Sequence, residues 1–226
     1  MRNVSRIPVC LSCLSAPKPF VAEYFCTGCN TPFVNAYPLD AAGLCGLCRR
    51  GLTGYDAAFS FGEYDGTLQE LIHLFKYGRI RTLAKPLGRL LSSALPREIR
   101  FDGVVPMPLH WRRQWNRGFN QSELLAEAVA RRASVPVWKA LRRKRPTLPQ
   151  AGLTNAQRRT NVSGAFEVRK GAAVEGRHIL LVDDVLTTGA SVNACAAALR
   201  RAGARRITVL TLARVDRRNG IQKDVA

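Results

Sequence analysis

The apolar positions of this chain follow two alternating patterns that are typical of an α/β fold. Short apolar runs, each about the length of a buried strand, occur at residues 55–61, 101–105, 179–182 and 207–213. Elsewhere apolar residues recur at three- and four-residue intervals, as on an amphipathic helix. The segments predicted to be helical are residues 67–77, 82–94, 121–132 and 191–201. Strands and helices that alternate in this way predict a domain built on a parallel sheet.

The junction between the strand at 179–182 and the helix at 191–201 carries the strongest chemical pattern. Asp183 and Asp184 stand where the strand is expected to end, and a loop of small and hydroxyl-bearing residues follows at 187–191. A helix N-terminus presents unpaired backbone N–H groups and a positive dipole end, so this loop predicts a cradle for one phosphate group. The two carboxylates could accept hydrogen bonds from sugar hydroxyls or help to hold Mg²⁺.

The strand at 101–105 ends in a proline-rich turn, and a segment rich in hydrogen-bond donors follows at 110–121. Ligands of α/β sheets bind at the carboxyl ends of the strands, so this segment, interpreted as a loop, and the Asp183 loop should share one crevice. Arg112, Arg113 and Arg117 could there neutralise a pyrophosphate. The alternative is a basic loop that faces solvent or nucleic acid. Asn120 and Glu123 resemble a capping box at the start of the helix that follows.

A long basic segment lies between these two loops. Residues 128–166 contain nine Lys and Arg residues and no Asp or Glu. We interpret it as a mobile basic flap that closes over an anionic ligand, with Gln150, Arg158 and Arg159 in position to contact it. The same composition would suit contacts to DNA phosphates.

The cysteines predict a metal site near the N-terminus. Six of the seven fall in three Cys-x-x-Cys pairs within the first fifty residues. The spacing favours a closed structural zinc site formed by four thiolates: Cys26, Cys29, Cys45 and Cys48. Cys10 and Cys13 are alternative ligands, either paired with Cys26 and Cys29 or as an incomplete second site. Disulfides and a catalytic zinc are disfavoured.

The chain as a whole carries a formal charge of +19, which favours polyanionic partners such as nucleic acid, or anionic small substrates. A generally basic proteome is the alternative explanation. No stretch approaches the ~20 apolar residues of a membrane span, and no signal peptide is evident, so a cytoplasmic protein without membrane insertion is expected. Glycines near residue 54 predict a boundary between a Cys-rich module at 1–54 and an α/β domain at 55–226.

Residues 179–191 resemble a known signature without a break. Their sequence, ILLVDDVLTTGAS, is similar to the signature of type I phosphoribosyltransferases, which bind 5-phosphoribosyl 1-pyrophosphate (PRPP) with Mg²⁺. The resemblance implies a parallel sheet with helices on both faces. It assigns PRPP binding to consecutive residues: Asp183, Asp184, Val185, Leu186, Thr187, Thr188, Gly189, Ala190 and Ser191. Catalytic roles are expected for Asp183, Asp184 and Arg117. Pyrophosphate or flap contacts are expected from Arg112, Arg113, Arg117, Gln121, Gln150 and Arg158.

Further motifs narrow the resemblance to the competence-associated ComF family. They are the cysteine pairs, the Pro-Met-Pro turn at 106–108, the RGFNQS run at 117–122 and the spaced residues Gln150, Leu153, Arg158 and Asn161. ComF proteins often carry four cysteine pairs where this chain has three. The family implies a link to natural transformation and to incoming single-stranded DNA, with no evident acceptor substrate for the PRPP site.

Two functional hypotheses result. In the first, the protein is an Mg²⁺-dependent phosphoribosyltransferase that transfers phosphoribosyl from PRPP to an unknown acceptor, and a structural Zn²⁺ stabilises its N-terminal zinc-ribbon module. In the second, it is a non-enzymatic accessory factor of DNA uptake. Such a factor would bind single-stranded DNA, work with proteins of the uptake machinery, and use PRPP as a ligand or not at all.

Overall fold

The computed structural model describes residues 7–33, 36–51, 53–144, 162 and 164–215, with only the backbone of residues 112, 113 and 116. Its strands are β1 (Tyr24–Phe25), β2 (Pro32–Phe33), β3 (Ala57–Glu63), β4 (Gly103–Pro106), β5 (Leu141–Arg143), β6 (Phe166–Val168), β7 (His178–Leu186) and β8 (Arg206–Arg214). Its helices are α1 (Leu11–Ser15), α2 (Gly66–Lys76), α3 (Ala84–Ser93), α4 (Trp111–Arg117), α5 (Gln121–Ala133) and α6 (Ala190–Arg201).

Four strands form the central parallel sheet, in the order β3-β8-β7-β4. Successive residues of β7 point to opposite faces, because side chains alternate along a strand. Ile179 and Leu181 join the apolar cluster that includes α6, whereas Leu180 and Val182 join the cluster that includes α2, α3 and α5. The sheet is therefore covered on both faces, as parallel sheets require, and the predicted fold class is confirmed.

Two local predictions were wrong. The strand predicted at 179–182 runs on to Leu186, because β7 stays paired with β8 as far as Leu186 and Arg214. Asp183 and Asp184 thus lie within the strand rather than after it. The segment at 110–121, interpreted as a loop, contains α4. The helix predicted at about 82–94 is confirmed as α3, with a 3₁₀ turn at Arg81–Leu83 before it.

The predicted capping box at the start of α5 forms only in part. Asn120 caps the helix, because its side-chain oxygen accepts a hydrogen bond from the Ser122 backbone N–H at 3.1 Å. Glu123 instead accepts one from Lys139 Nζ at 3.2 Å. The ion pair with Lys139 therefore takes the place of the second bond of the box.

The two parts of the cysteine-rich segment lie on opposite sides of the sheet. Cys26, Cys29 and Cys45 belong to the same apolar cluster as α6, and the β1–β2 hairpin flanks the first two of them. The segment around α1 packs against the other cluster through Ile7, Val9 and Leu14. The predicted boundary near residue 54 stays a prediction.

The segment at 128–166, interpreted as a basic flap, begins in α5, and an antiparallel hairpin of β5 and β6 closes its later part. β5 pairs with β6, and Glu167 on β6 forms ion pairs with Arg142 and Lys144. Those two side chains are therefore held by the hairpin, whereas Gln150, Arg158 and Arg159 fall outside the described residues. No helix in the described part of the chain is both long and apolar enough to cross a membrane.

Candidate functional site

A cavity of about 230 Å³ opens at the carboxyl ends of β4 and β7. It brings together most of the predicted site residues, and its polar lining includes Lys76, Arg117, Asn120, Gln121, Ser122, Arg143, Asp183, Asp184, Thr187 and Ser191. Val185, Leu186, Gly189 and Ala190 complete its wall along the predicted phosphate loop, whereas Thr188 faces a neighbouring cavity. The side chains of Arg112 and Arg113, and all of Gln150 and Arg158, lie outside the described residues.

The predicted phosphate loop ends at the N-terminus of α6. Gly189 occupies the N-cap position with a φ of 74°, in the left-handed region that a side chain disfavours. The first turn of α6 contains a hydrogen bond that the Asn193 N–H donates to the Gly189 carbonyl at 2.8 Å. Because Ala190, Ser191 and Val192 line the cavity, the positive end of the α6 dipole opens onto it. This arrangement is suited to an anion.

Asp183 is held by hydrogen bonds that leave part of its carboxylate at the cavity. Ser122 Oγ and the Asp184 N–H both donate to Oδ1, each at 2.9 Å. Burial, followed by the negative charge of Asp184, raises the pKa of Asp183 to about 7, against the opposing effect of Lys76. The side chain is therefore poised to change charge near neutral pH.

Asp184 forms a buried ion pair that the sequence did not suggest. Its Oδ1 lies 2.7 Å from Lys76 Nζ, and only 14% and 12% of the two side chains are exposed. Burial alone would lower the pKa of Lys76, but the charge of Asp184 and its hydrogen bond outweigh burial and raise it. In the sequence Lys76 falls within the helix predicted at 67–77, where no chemical role was assigned to it. Its one signal is its position directly after Phe75, at the end of the apolar stripe.

Arg117 at the end of α4 and Gln121 at the start of α5 also line the cavity. Arg117 Nη1 donates to Gln121 Oε1 at 3.2 Å, and the guanidinium lies over the exposed ring of Tyr77 at 5.1 Å. Gln121 is 1% exposed, yet its Nε2 has no hydrogen-bond partner among the described residues. A buried amide left without a partner is costly, so an acceptor oxygen of a ligand would satisfy it.

The raised pKa of Asp183 predicts a pH dependence of stability. The folded protein holds this proton up to about pH 7, whereas an unfolded Asp loses it near pH 4, so the contribution of Asp183 falls as pH rises between these values. Asp183→Asn should remove this dependence while keeping the shape. Urea unfolding measures this: as pH rises through that window, the free energy of unfolding of the variant should increase relative to that of the wild type by up to about 1.4 kcal/mol per pH unit. A constant difference would contradict the prediction.

Four cysteine sulfurs converge near the start of β3. The sulfurs of Cys26, Cys29, Cys45 and Cys48 lie within 4.8 Å of one another, and Cys29 and Cys45 are 3.8 Å apart. Zn–S bonds of about 2.3 Å in a tetrahedron place sulfurs roughly 3.8 Å apart, so this set fits a closed structural Zn²⁺ site. Cys10 and Cys13 are not part of it, because α1 lies on the other side of the sheet.

We therefore expect about one zinc ion per chain, held by the four-cysteine cluster. Cys26→Ser or Cys45→Ser should lose the metal and lower the melting temperature, because these side chains share the apolar core with α6. Cys10→Ser and Cys13→Ser are the matched controls and should keep it. Elemental analysis of protein prepared without chelators measures the content. Zinc lost equally in all four variants would contradict the assignment.

Comparisons with known proteins show the family to which this chain belongs. The Phosphoribosyl transferase domain family matches residues 119–226, which include α5, β7, α6 and β8. The chain is 32% identical over 214 residues to the DNA utilization protein YhgH of Escherichia coli K12, covering 91% of this chain and 90% of that protein. It is 33% identical over 178 residues to Competence protein F of Haemophilus influenzae, covering 75% of this chain and 78% of that protein. It is therefore a phosphoribosyltransferase-type protein.

The relatives also show to which family of phosphoribosyltransferase-type proteins the chain belongs. Competence protein ComFC of Streptococcus pneumoniae is 29% identical over 168 residues, covering 74% of this chain and 71% of that protein. The chain belongs to the ComF family. Among solved structures, the glutamine PRPP amidotransferase from B. subtilis is 22% identical with a TM-score of 0.40, over 57% of this chain and 26% of that one.

Proposed function

We propose that this protein binds Mg²⁺·PRPP in the cavity at the ends of β4 and β7 and transfers the phosphoribosyl group to an acceptor. The observation that carries the proposal is one cavity lined by two carboxylates, a helix N-terminus and the Arg117–Gln121 pair. Sugar hydroxyls, a phosphate and a pyrophosphate would each find a chemically matched partner there. The names of its relatives support a role in competence or DNA utilisation.

Each group would have a distinct role. Asp183 and Asp184 would accept hydrogen bonds from the ribose hydroxyls, and the residues at 187–191 would bind the 5-phosphate at the start of α6. Arg117 and Gln121 would donate to the pyrophosphate, stabilising the charge that develops as it leaves. Carboxylate oxygens suit Mg²⁺, which would neutralise part of the pyrophosphate charge when bound with PRPP. Catalysis would come mainly from positioning and charge stabilisation.

Pyrophosphate release tests this proposal directly. Protein, Mg²⁺ and PRPP should be incubated with a panel of candidate acceptors, with and without single-stranded DNA, and released pyrophosphate quantified. Pyrophosphate release should require one of the acceptors and the Asp183 carboxylate. Asp183→Asn is therefore the matched control and should release much less pyrophosphate. If titration calorimetry detects no PRPP binding to the wild type, the proposal is wrong.

A second candidate function, binding of single-stranded DNA, is favoured by α4. Trp111 and Trp115 are 65% and 85% exposed on this short helix, beside Arg117 and on a chain of net charge +19. Aromatic rings stack on bases, while basic residues contact the backbone. The alternative protein would be an accessory factor of DNA uptake that needs no reaction at the PRPP cavity.

If α4 contacts single-stranded DNA, Trp115→Ala should weaken binding by about 1–3 kcal/mol, the value of one stacked base. Trp115→Phe keeps an aromatic ring and should lose much less. The affinity of the wild type should also fall steeply with salt, because bound counterions are released. Fluorescence anisotropy with a labelled oligonucleotide measures both effects. Binding that is insensitive to salt and to Trp115→Ala would exclude α4.

A further inference from the structure

The remaining cysteine pair, Cys10 and Cys13, takes no part in the four-cysteine cluster. Both thiols are free, and they flank the first turn of α1, where the Leu14 N–H donates to the Cys10 carbonyl at 3.1 Å. Ile7, Val9 and Leu14 pack this segment against the apolar cluster that includes α2, α3 and α5. The pair therefore has a fixed place on the surface of the fold.

The helical turn brings the two thiols close enough to form a bond. Residues three apart on such a turn have Cα atoms about 5 Å apart, which is within the usual range for a disulfide. The side chains of Cys10 and Cys13 are also hydrogen-bonded to each other. A bond between the two sulfurs therefore needs no large movement of the backbone.

The two thiols differ in accessibility and in acidity. Cys10 is exposed and its Sγ lies 3.1 Å from Ser12 Oγ, whereas Cys13 is partly buried. The hydrogen bond with Ser12, followed by one from the Cys13 backbone N–H, lowers the pKa of Cys10 to about 7. The hydrogen bond with Cys10, followed by the charge of Cys10, raises the pKa of Cys13. An accessible thiolate beside a protonated thiol is the arrangement that disulfide exchange uses.

A metal does not account for the pair. A closed zinc site needs four ligands. Among the residues that the structure describes, the four-cysteine cluster is the one group that brings together three or more side chains able to hold a metal. Cys10 and Cys13 lie outside it, so they supply two ligands where four are needed.

We infer that Cys10 and Cys13 form a thiol–disulfide exchange site, with Cys10 as the attacking sulfur and Cys13 as the sulfur that completes the exchange. Its substrate is an accessible disulfide, either of a small thiol compound or of another protein. The inference does not depend on PRPP binding, because the pair lies outside the candidate PRPP cavity.

The exchange balances without a further reactant. The Cys10 thiolate attacks one sulfur of the substrate, the substrate S–S bond breaks, and its other sulfur leaves as a thiolate. That thiolate takes the proton of Cys13, whose sulfur then attacks Cys10 Sγ in the mixed disulfide. The second substrate sulfur leaves as a thiolate and is protonated by solvent. Two electrons pass to the substrate, which becomes two thiols, and the chain keeps a Cys10–Cys13 disulfide.

Oxidised glutathione tests the reaction with a small disulfide. The reduced full chain, freed of reductant, should lose two free thiols, and peptide mapping should locate the new disulfide at Cys10–Cys13 while the zinc content stays constant. Cys13→Ser should stop at a mixed disulfide with one glutathione on Cys10, and Cys10→Ser should form its adduct more slowly because Cys13 is less exposed. Oxidation that falls equally on the four-cysteine cluster would overturn the inference.

Ser12 and Ser15 provide matched variants for the role of Cys10. Ser12→Ala removes the hydroxyl beside Cys10 Sγ and should slow the reaction with oxidised glutathione at pH 7 by about three-fold or more. The Ser15 hydroxyl donates instead to the Leu11 carbonyl at 2.9 Å, so Ser15→Ala alters the same turn without removing a contact of Cys10 and should leave the rate unchanged. Equal rates in the two variants would overturn the assignment of Cys10 as the attacking sulfur.

Insulin distinguishes the two sources of the disulfide. Reduced full chain that cleaves the disulfides of insulin, with loss of this activity in Cys10→Ser, would identify a protein substrate, whereas reaction with glutathione alone would identify a small one. Reaction with neither would overturn the inference. A second zinc ion per chain that is lost in Cys10→Ser would also overturn it, since the pair would then be a set of metal ligands.

Discussion

Mg²⁺·PRPP should bind the Asp183→Asn/Asp184→Asn protein at least two orders of magnitude more weakly than the wild type. Above pH 7, where Asp183 is ionised, the substitutions keep the shape of both side chains but remove two negative charges and their charge-assisted bonds to the ribose hydroxyls. Such bonds contribute about 1.5–3 kcal/mol each. Titration calorimetry of both proteins at about pH 8 and one salt concentration measures the difference.

The ion pair of Asp184 requires a control for folding. Asp184 is 9% exposed and paired with Lys76, so its loss also costs stability. Asp183→Asn alone leaves that pair intact and should still weaken PRPP binding about ten-fold or more. Circular dichroism verifies the fold of each variant. Equal PRPP affinity in the wild type and a folded double variant would mean that the carboxylates take no part in binding.

The sheet was predictable because its signal is local. β7 and β8 contain the apolar runs at 179–182 and 207–213, which parallel strands need when helices cover both faces. The point at which β7 ends was not predictable, because it depends on pairing with Arg214 of β8 rather than on residues 179–186 themselves. The two aspartates were therefore predicted to follow the strand, whereas they lie within it.

The candidate site was predictable only where its functional groups belong to residues that are adjacent in the sequence. The loop at 187–191 is one uninterrupted pattern, whereas Lys76 meets Asp184 through packing of α2 on the sheet, which no local spacing reports. The choice among the cysteine pairs also needed the fold, since sequence spacing left Cys10 and Cys13 as alternatives. Burial without a partner, as at Gln121 Nε2, is likewise a property of tertiary structure alone.

Lys76→Met should destabilise the protein by about 3–5 kcal/mol, because it leaves the buried Asp184 carboxylate without its cation. The methyl thioether fills similar space, so the loss is one of charge rather than of packing. Adding Asp184→Asn in the Lys76→Met background removes the unpaired charge and should restore most of the stability. This recovery is the sign of a coupled pair.

A surface ion pair provides the contrast. Lys144 pairs with Glu167 on the β5–β6 hairpin, but 54% of its side chain is exposed, so Lys144→Met should cost about 1 kcal/mol or less. Urea unfolding of the four proteins at one pH measures the differences. If Lys76→Met costs no more than Lys144→Met, or if Asp184→Asn brings no recovery, then the pair does not stabilise the fold. In that case Lys76 would be held at the cavity for its charge alone, as a cation available to an incoming phosphate.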